Sequence, residues 1–165
     1  MKQTVLNRLD KINGMLGKFE LAFSCTLLIA MVVVVGAAVF LRYVLKSPLV
    51  AGVNFATLLL VWLTFFGASF VYRERGHIAI DFVIDRLPAF LRHTVMIAVY
   101  TIIGGILIII CVQSGYLIEV QWKQEIVALD IPRSFLSIPV LMTSMLMIFT
   151  TLRHIVLEIN VLINR

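Results

Sequence analysis

Four long stretches of the chain contain no Asp, Glu, Lys or Arg: residues 21–41, 47–72, 93–118 and 134–152, which hold 21, 26, 26 and 19 residues with His93 counted as neutral. A helix crossing a bilayer needs about 20 predominantly apolar residues, because the hydrocarbon layer is about 30 Å thick and each residue advances about 1.5 Å. All four stretches meet that length, which predicts four membrane spans, at about 21–41, 49–72, 93–118 and 134–153. Composition excludes the soluble alternative. The chain is 61% hydrophobic and 14% charged, with a mean hydropathy of +1.05, whereas soluble domains carry about 45–50% apolar and about 25% charged residues. The expected fold is an all-α integral membrane protein, with residues 1–165 forming a single four-helix membrane domain.

The charges outside the spans set a direction. Ten of the 14 Lys and Arg residues lie in the amino-terminal tail, the central connection or the carboxyl end, which share one side of a four-span protein. Arg42, Lys46, Lys123 and Arg133 lie on the other side. The positive-inside rule then predicts that both termini are cytoplasmic. The net charge of +5 reports topology in this reading; dispersed basic residues without a binding module give no sign of nucleic-acid recognition. The first apolar run exceeds the core of a secretory signal, about 7–15 residues, and follows a charged tail of twenty residues, so an uncleaved first span is expected.

Two connections carry a helical apolar period. Before the first span, Val5, Leu9, Ile12, Leu16 and Phe19 form a stripe that Lys2, Arg8, Lys11 and Lys18 largely avoid. Two readings stay open there: an amphipathic helix in the headgroup layer, or an extension of the first span interrupted at Gly14 or Gly17. Between the second and third spans, Ile80, Val83, Ile84 and Leu87 make one stripe, while Asp81 and Asp85 share another face. His77 precedes Asp81 by four residues, within pairing reach on a helix. This predicts an amphipathic helix on the cytoplasmic surface, ended by Pro88 or giving way there to the third span. Trp122 stands where an interfacial aromatic belongs. Asp130 and Pro132 signal the start of the fourth helix, with Pro139 inside it and bending it.

Chemistry is sparse. An ionisable residue at membrane depth costs about 2.5–3.5 kcal/mol on insertion scales and usually marks a transport pathway, yet the four runs hold none; Glu20, Glu74 and Glu119 fall at their ends. His77, His93 and His154 lie near the expected cytoplasmic boundary, which does not suit a haem held inside the bundle. Cys25 and Cys111 are single and within spans, and no Gly-x-Ser-x-Gly elbow occurs. No catalytic residue, cofactor site or metal site is expected. The small and polar residues inside the spans (Asn54, Thr57, Thr64, Ser69, Ser114, Thr143 and Ser144 among them) are expected to pack helices together or to hydrogen-bond across them.

The order of several motifs is more specific. The segment Trp62-Leu-Thr-Phe-Phe-Gly-Ala-Ser-Phe-Val-Tyr-Arg-Glu-Arg-Gly-His-Ile-Ala-Ile-Asp81 is accompanied by Arg42-Tyr43, Arg86-Leu-Pro88, Asp130-Ile-Pro132 and Pro139. With these motifs the chain resembles, over nearly its whole length, the small membrane subunit (DctQ type) of tripartite ATP-independent periplasmic (TRAP) transporters. Members of that family often carry a Trp and one or two acidic residues early in the second span. Here the stretch reads Val50-Ala-Gly-Val-Asn-Phe55, so Asn54 offers an amide where a carboxylate is common, and a charged pairing of that position with Arg42 is not implied.

The resemblance implies a multi-pass protein of a bacterial or archaeal inner membrane. It implies a non-catalytic small permease subunit that scaffolds a large membrane subunit as a heterodimer, served by a periplasmic substrate-binding protein. The transporter would be a sodium-coupled secondary one for organic acids (carboxylates, sialic acids or sulfonates), with sodium bound by the large subunit and not by this chain. Arg42, Asn54, Trp62, Arg73, Arg75, His77 and Asp81 are the residues expected to meet the partner or membrane phospholipids. From another class, a stand-alone four-span membrane redox protein or enzyme is the alternative, which visible absorption and a metal assay distinguish. A homo-oligomeric channel is a third reading, which conductance in planar bilayers distinguishes.

Overall fold

The computed structural model describes residues 2–44, 46, 50–74, 89–126 and 129–163, with side chains described from Asp10 to Ile159 except those of residues 50 and 89–92. Four long helices carry the fold: α1 (Lys2–Tyr43), α2 (Val50–Arg73), α3 (Ala89–Gln121) and α4 (Ile138–Ile163). Each contains a stretch long and apolar enough to cross a membrane. The surface helix expected between the second and third spans lies outside the described residues, and Arg75, His77 and Asp81 lie there with it.

Packing follows two antiparallel hairpins. α1 packs on α2, α3 packs on α4, and the hairpins meet where α2 touches α4, giving the order α1, α2, α4, α3. The outer helices therefore leave broad apolar faces uncovered, including Ile29, Val32 and Val33 on α1 and Ile102, Ile109 and Val112 on α3. In water such surface would drive aggregation; against lipid chains it costs nothing to expose.

α1 is one unbroken helix of 42 residues, about 63 Å long at 1.5 Å per residue. Of the two readings of its amino-terminal part, extension of the span is the one observed, without the interruption at Gly14 or Gly17. The inward face explains the continuity. Asn13, Gly17, Glu20 and Ser24 are buried in steps of four, three and four, and the partly buried Leu27, Met31 and Val34 continue the same alternation. That is the seam of a left-handed helix pair, with polar and small residues at one end and aliphatic ones beyond.

At the other end of the bundle, α3 leads into a two-residue antiparallel ladder of β1 (Glu125–Ile126) and β2 (Ile131–Pro132). Asp130 turns the chain with φ of 50°, a left-handed conformation that a short polar side chain tolerates. A 3-10 turn, Arg133–Leu136, then leads into α4. Two expectations are corrected here. The Asp130–Pro132 signal starts the strand and the 3-10 turn, not the α-helix. Pro139 is the second residue of α4, where its missing N–H is one the helix leaves unpaired, so it caps the start instead of bending the interior.

Candidate functional site

The end of the bundle that holds both termini gathers most of the buried polar groups. Glu20 on α1 is 0% exposed and Arg73, the last residue of α2, is 3% exposed. Arg73 Nε donates to Glu20 Oε2 at 2.8 Å and Nη2 donates to Oε1 at 2.8 Å, a bidentate pair. Ser69 Oγ donates to the same Oε1 at 2.7 Å, and the remaining guanidinium nitrogen, Nη1, donates to Asn13 Oδ1. Gly17 makes room for this arrangement: a Cβ there would sit 3.1 Å from Arg73 Cδ. The arginine stem thus lies across the glycine face of α1, with Asn13 and Glu20 one turn to either side.

Removing two charges from water costs several kcal/mol each, which a bidentate pair with further hydrogen bonds on both partners offsets. Its value is therefore registry. The network fixes α1 against α2 in one axial position, and loss of either partner would strand a charge.

Other pairs tie the remaining helices at this end. Arg153 on α4 donates to Asp10 on α1 at 2.6 and 2.9 Å, in a partly exposed pair that joins the outer edge of one hairpin to the other. His93 Nδ1 and Glu158 Oε2 lie 2.7 Å apart across α3 and α4. His154 is 0% exposed, stacked on Tyr100 with centroids 5.1 Å apart, and meets the Tyr72 ring edge-on at 6.4 Å. The Tyr72 hydroxyl and Thr151 Oγ1 share a hydrogen bond of 2.7 Å between α2 and α4.

The opposite, strand-bearing end is held differently. Trp62 Nε1 donates to the Phe135 carbonyl at 2.9 Å, joining α2 to the 3-10 turn. Its indole stacks on Phe66 at 6.0 Å and meets Phe23 of α1 at 6.2 Å. Ser134 Oγ donates to the Ile118 carbonyl at 3.0 Å and Ser137 Oγ to Gln121 Oε1 at 2.7 Å, closing α3 onto the entry to α4. Asn54 and Thr57 of α2 line a cavity of about 240 Å³ with Glu125, Ile126, Arg133 and Leu136.

Of the residues singled out in the sequence, Arg73 and Trp62 are internal fasteners, one at each end. Asn54 faces the strands across the cavity. Arg42 is exposed, with its guanidinium 5.9 Å from the centroid of the neighbouring Tyr43 ring, and makes no hydrogen bond to Asn54 among the described residues. The hydroxyls divide in two: Ser69 reaches across to Glu20, whereas Thr57, Thr64, Ser114, Thr143 and Ser144 bond to carbonyls four residues back in their own helices. The sequence places Glu20 at the end of a span without a partner and does not single out Asn13 or Asp10; the signal for Asn13 and Glu20 is the spacing Asn13, Gly17, Glu20, Ser24 along one helix face. Among the described residues, no three His, Cys, Asp or Glu side chains are grouped to hold a metal ion.

A protein with four membrane-length helices whose buried Glu20 and Arg73 neutralise each other within its own bundle is built as a packing unit. The sequence matches the family described as tripartite ATP-independent periplasmic transporters, DctQ component, over residues 31–160, and the chain belongs to that family. It is a family of transporter components, not of enzymes, so the stand-alone redox protein or enzyme is not favoured. No protein of curated function matches the chain.

Proposed function

We propose that the chain is the small, non-catalytic permease subunit of a sodium-coupled, binding-protein-dependent secondary transporter for organic acids, and that it braces the large transport subunit. The observation that carries this reading is the internal use of its buried charges. Glu20 and Arg73 spend their hydrogen bonds on each other, on Ser69 and on Asn13, so neither is offered to an ion or a substrate. A coupled carrier keeps such groups in a pathway, where they change partners during the cycle.

In this reading the chain sits in the inner membrane with both termini cytoplasmic, as a heterodimer with the large subunit. The large subunit binds sodium and receives substrate from the periplasmic binding protein. The uncovered faces of α1 and α3 are divided between that subunit and phospholipid, and Arg42, Asn54, Arg75, His77 and Asp81 are the candidate contacts outside the internal fasteners. Co-expression with the adjacent large membrane protein is expected to give a detergent-stable one-to-one complex. Proteoliposomes holding this chain alone are expected to show no sodium-dependent uptake, and uptake by the lone chain would overturn the bracing role.

A further inference from the structure

The first 20 residues of α1 contain two acidic side chains, and both are paired with arginines away from the outward face: Glu20, buried, with Arg73, and Asp10, half-exposed at the flank, with Arg153. The opposite face of the same turns is cationic and apolar. Lys11 and Lys18 are exposed, and among the described residues neither makes an ion pair. Between and beside them stand Met15, 68% exposed, and Phe19, 58% exposed, with Ile12 completing the strip.

The depth of this face follows from the helix. Residues 21–41 fill the hydrocarbon layer of about 30 Å, leaving a headgroup layer of about 5–7 Å on each side. At about 1.5 Å per residue, Phe19 and Lys18 lie about 3 and 4 Å beyond the hydrocarbon edge, and Met15 lies about 9 Å beyond it. Lys11 lies about 15 Å beyond, and its flexible stem can bring the ammonium back within a Debye length of about 8 Å from the headgroups. The Phe19 phenyl therefore meets the boundary of headgroups and acyl chains and the Lys18 ammonium lies among the phosphates, while Met15 stands at the outer edge of the headgroups and Lys11 reaches back towards them.

We propose that this outward face of α1, carried by Lys11, Met15, Lys18 and Phe19, is a binding surface for anionic phospholipid in the leaflet on the side of the termini. Charge complementarity selects the occupant. With Asp10 and Glu20 paired to arginines, the face carries no negative charge among the described residues, and its apolar strip continues directly into the lipid-facing surface of the span through Leu21, Leu28 and Ile29. Zwitterionic lipid satisfies the apolar strip but supplies no net charge to the lysines.

The test places a nitroxide on Met15→Cys in a Cys25→Ser, Cys111→Ser background, with the full chain in nanodiscs of phosphatidylcholine alone or mixed with phosphatidylglycerol. Accessibility to a water-soluble paramagnetic relaxer is expected to fall when phosphatidylglycerol is present. Replacing Lys11 or Lys18 by Gln is expected to reduce the preference for the anionic lipid by about fivefold each, while helix content by circular dichroism stays unchanged. Equal accessibility in the two lipids overturns the proposal, as does shielding that arises only on addition of the large subunit, which would make the occupant a protein. Neither readout depends on transport, so failure here and failure of the bracing role are separate results.

Discussion

The two ends of the bundle are fastened by different chemistry. At the end holding the termini, side chain binds side chain: Glu20 with Arg73, Asp10 with Arg153, His93 with Glu158, and Tyr72 with Thr151. At the strand-bearing end most fasteners use a main-chain carbonyl, as Trp62 does with Phe135 and Ser134 with Ile118. A pair of side chains is specific but brittle, because removing one member leaves a buried charge or dipole behind. A bond to a carbonyl is individually weaker but more forgiving, since the acceptor retains its place in local structure. The contrast teaches that the registry of the four helices is set mainly at one end, while the other end closes the connections.

Reversible unfolding in mixed micelles, titrated with a denaturing detergent, would measure that contrast directly. The largest effect is expected for Glu20→Leu, which strands the Arg73 guanidinium at a site that is 3% exposed and should destabilise by about 3–5 kcal/mol. The double variant Glu20→Leu, Arg73→Leu is expected to recover more than half of that loss; no recovery would mean the two residues act separately. Next comes Gly17→Leu, whose side chain must displace the arginine stem now 3.1 Å from the position of its Cβ, at about 1–3 kcal/mol.

The strand-bearing end should respond less. Trp62→Phe keeps a ring between Phe23 and Phe66 but loses the donor to the Phe135 carbonyl, with an expected loss of about 1 kcal/mol. Ser134→Ala removes one hydroxyl bond to the Ile118 carbonyl and is expected to cost about 0.6 kcal/mol, the average for such bonds inside membranes. If Trp62→Phe proved as damaging as Glu20→Leu, the division of labour between the two ends would be lost.

The spans were legible in the sequence because lipid allows no charged residue at an unpaired membrane position, and that exclusion writes itself as four uncharged runs. The buried pair was not legible for a related reason. Glu20 and Arg73 each stand one residue beyond such a run, where a charge ordinarily meets water or headgroups. Their meeting depends on how α1 and α2 are rotated, a tertiary fact that no count of charges contains. Arg73 was singled out for its motif and Trp62 for its place in that motif, but their partners, Asn13 and the Phe135 carbonyl, lie 60 and 73 residues away. The start of α4 differs from the expectation because Asp130 and Pro132 suit a helix entry and a tight turn equally well, and it is the long-range pairing of this segment with residues 124–126, including Arg133 N–H with the Gln124 carbonyl, that distinguishes them.

The seating of Arg73 over Gly17 also bears on how the chain enters the membrane. All partners of that arginine lie earlier in the chain, so its charge can be neutralised once α2 has emerged from the ribosome, before α4 is made. The second hairpin likewise holds His93 with Glu158 and Tyr100 with His154. Each hairpin therefore can leave the insertion machinery with these internal pairs made, and the two then dock through α2 and α4, when Asp10 meets Arg153 and Tyr72 meets Thr151. Nascent chains halted with residues 1–90 outside the ribosome are expected to form a Phe23→Cys to Phe66→Cys crosslink already, in a Cys25→Ser background that leaves Arg73 and its partners intact; a crosslink that waits for α4 would show that insertion runs in another order.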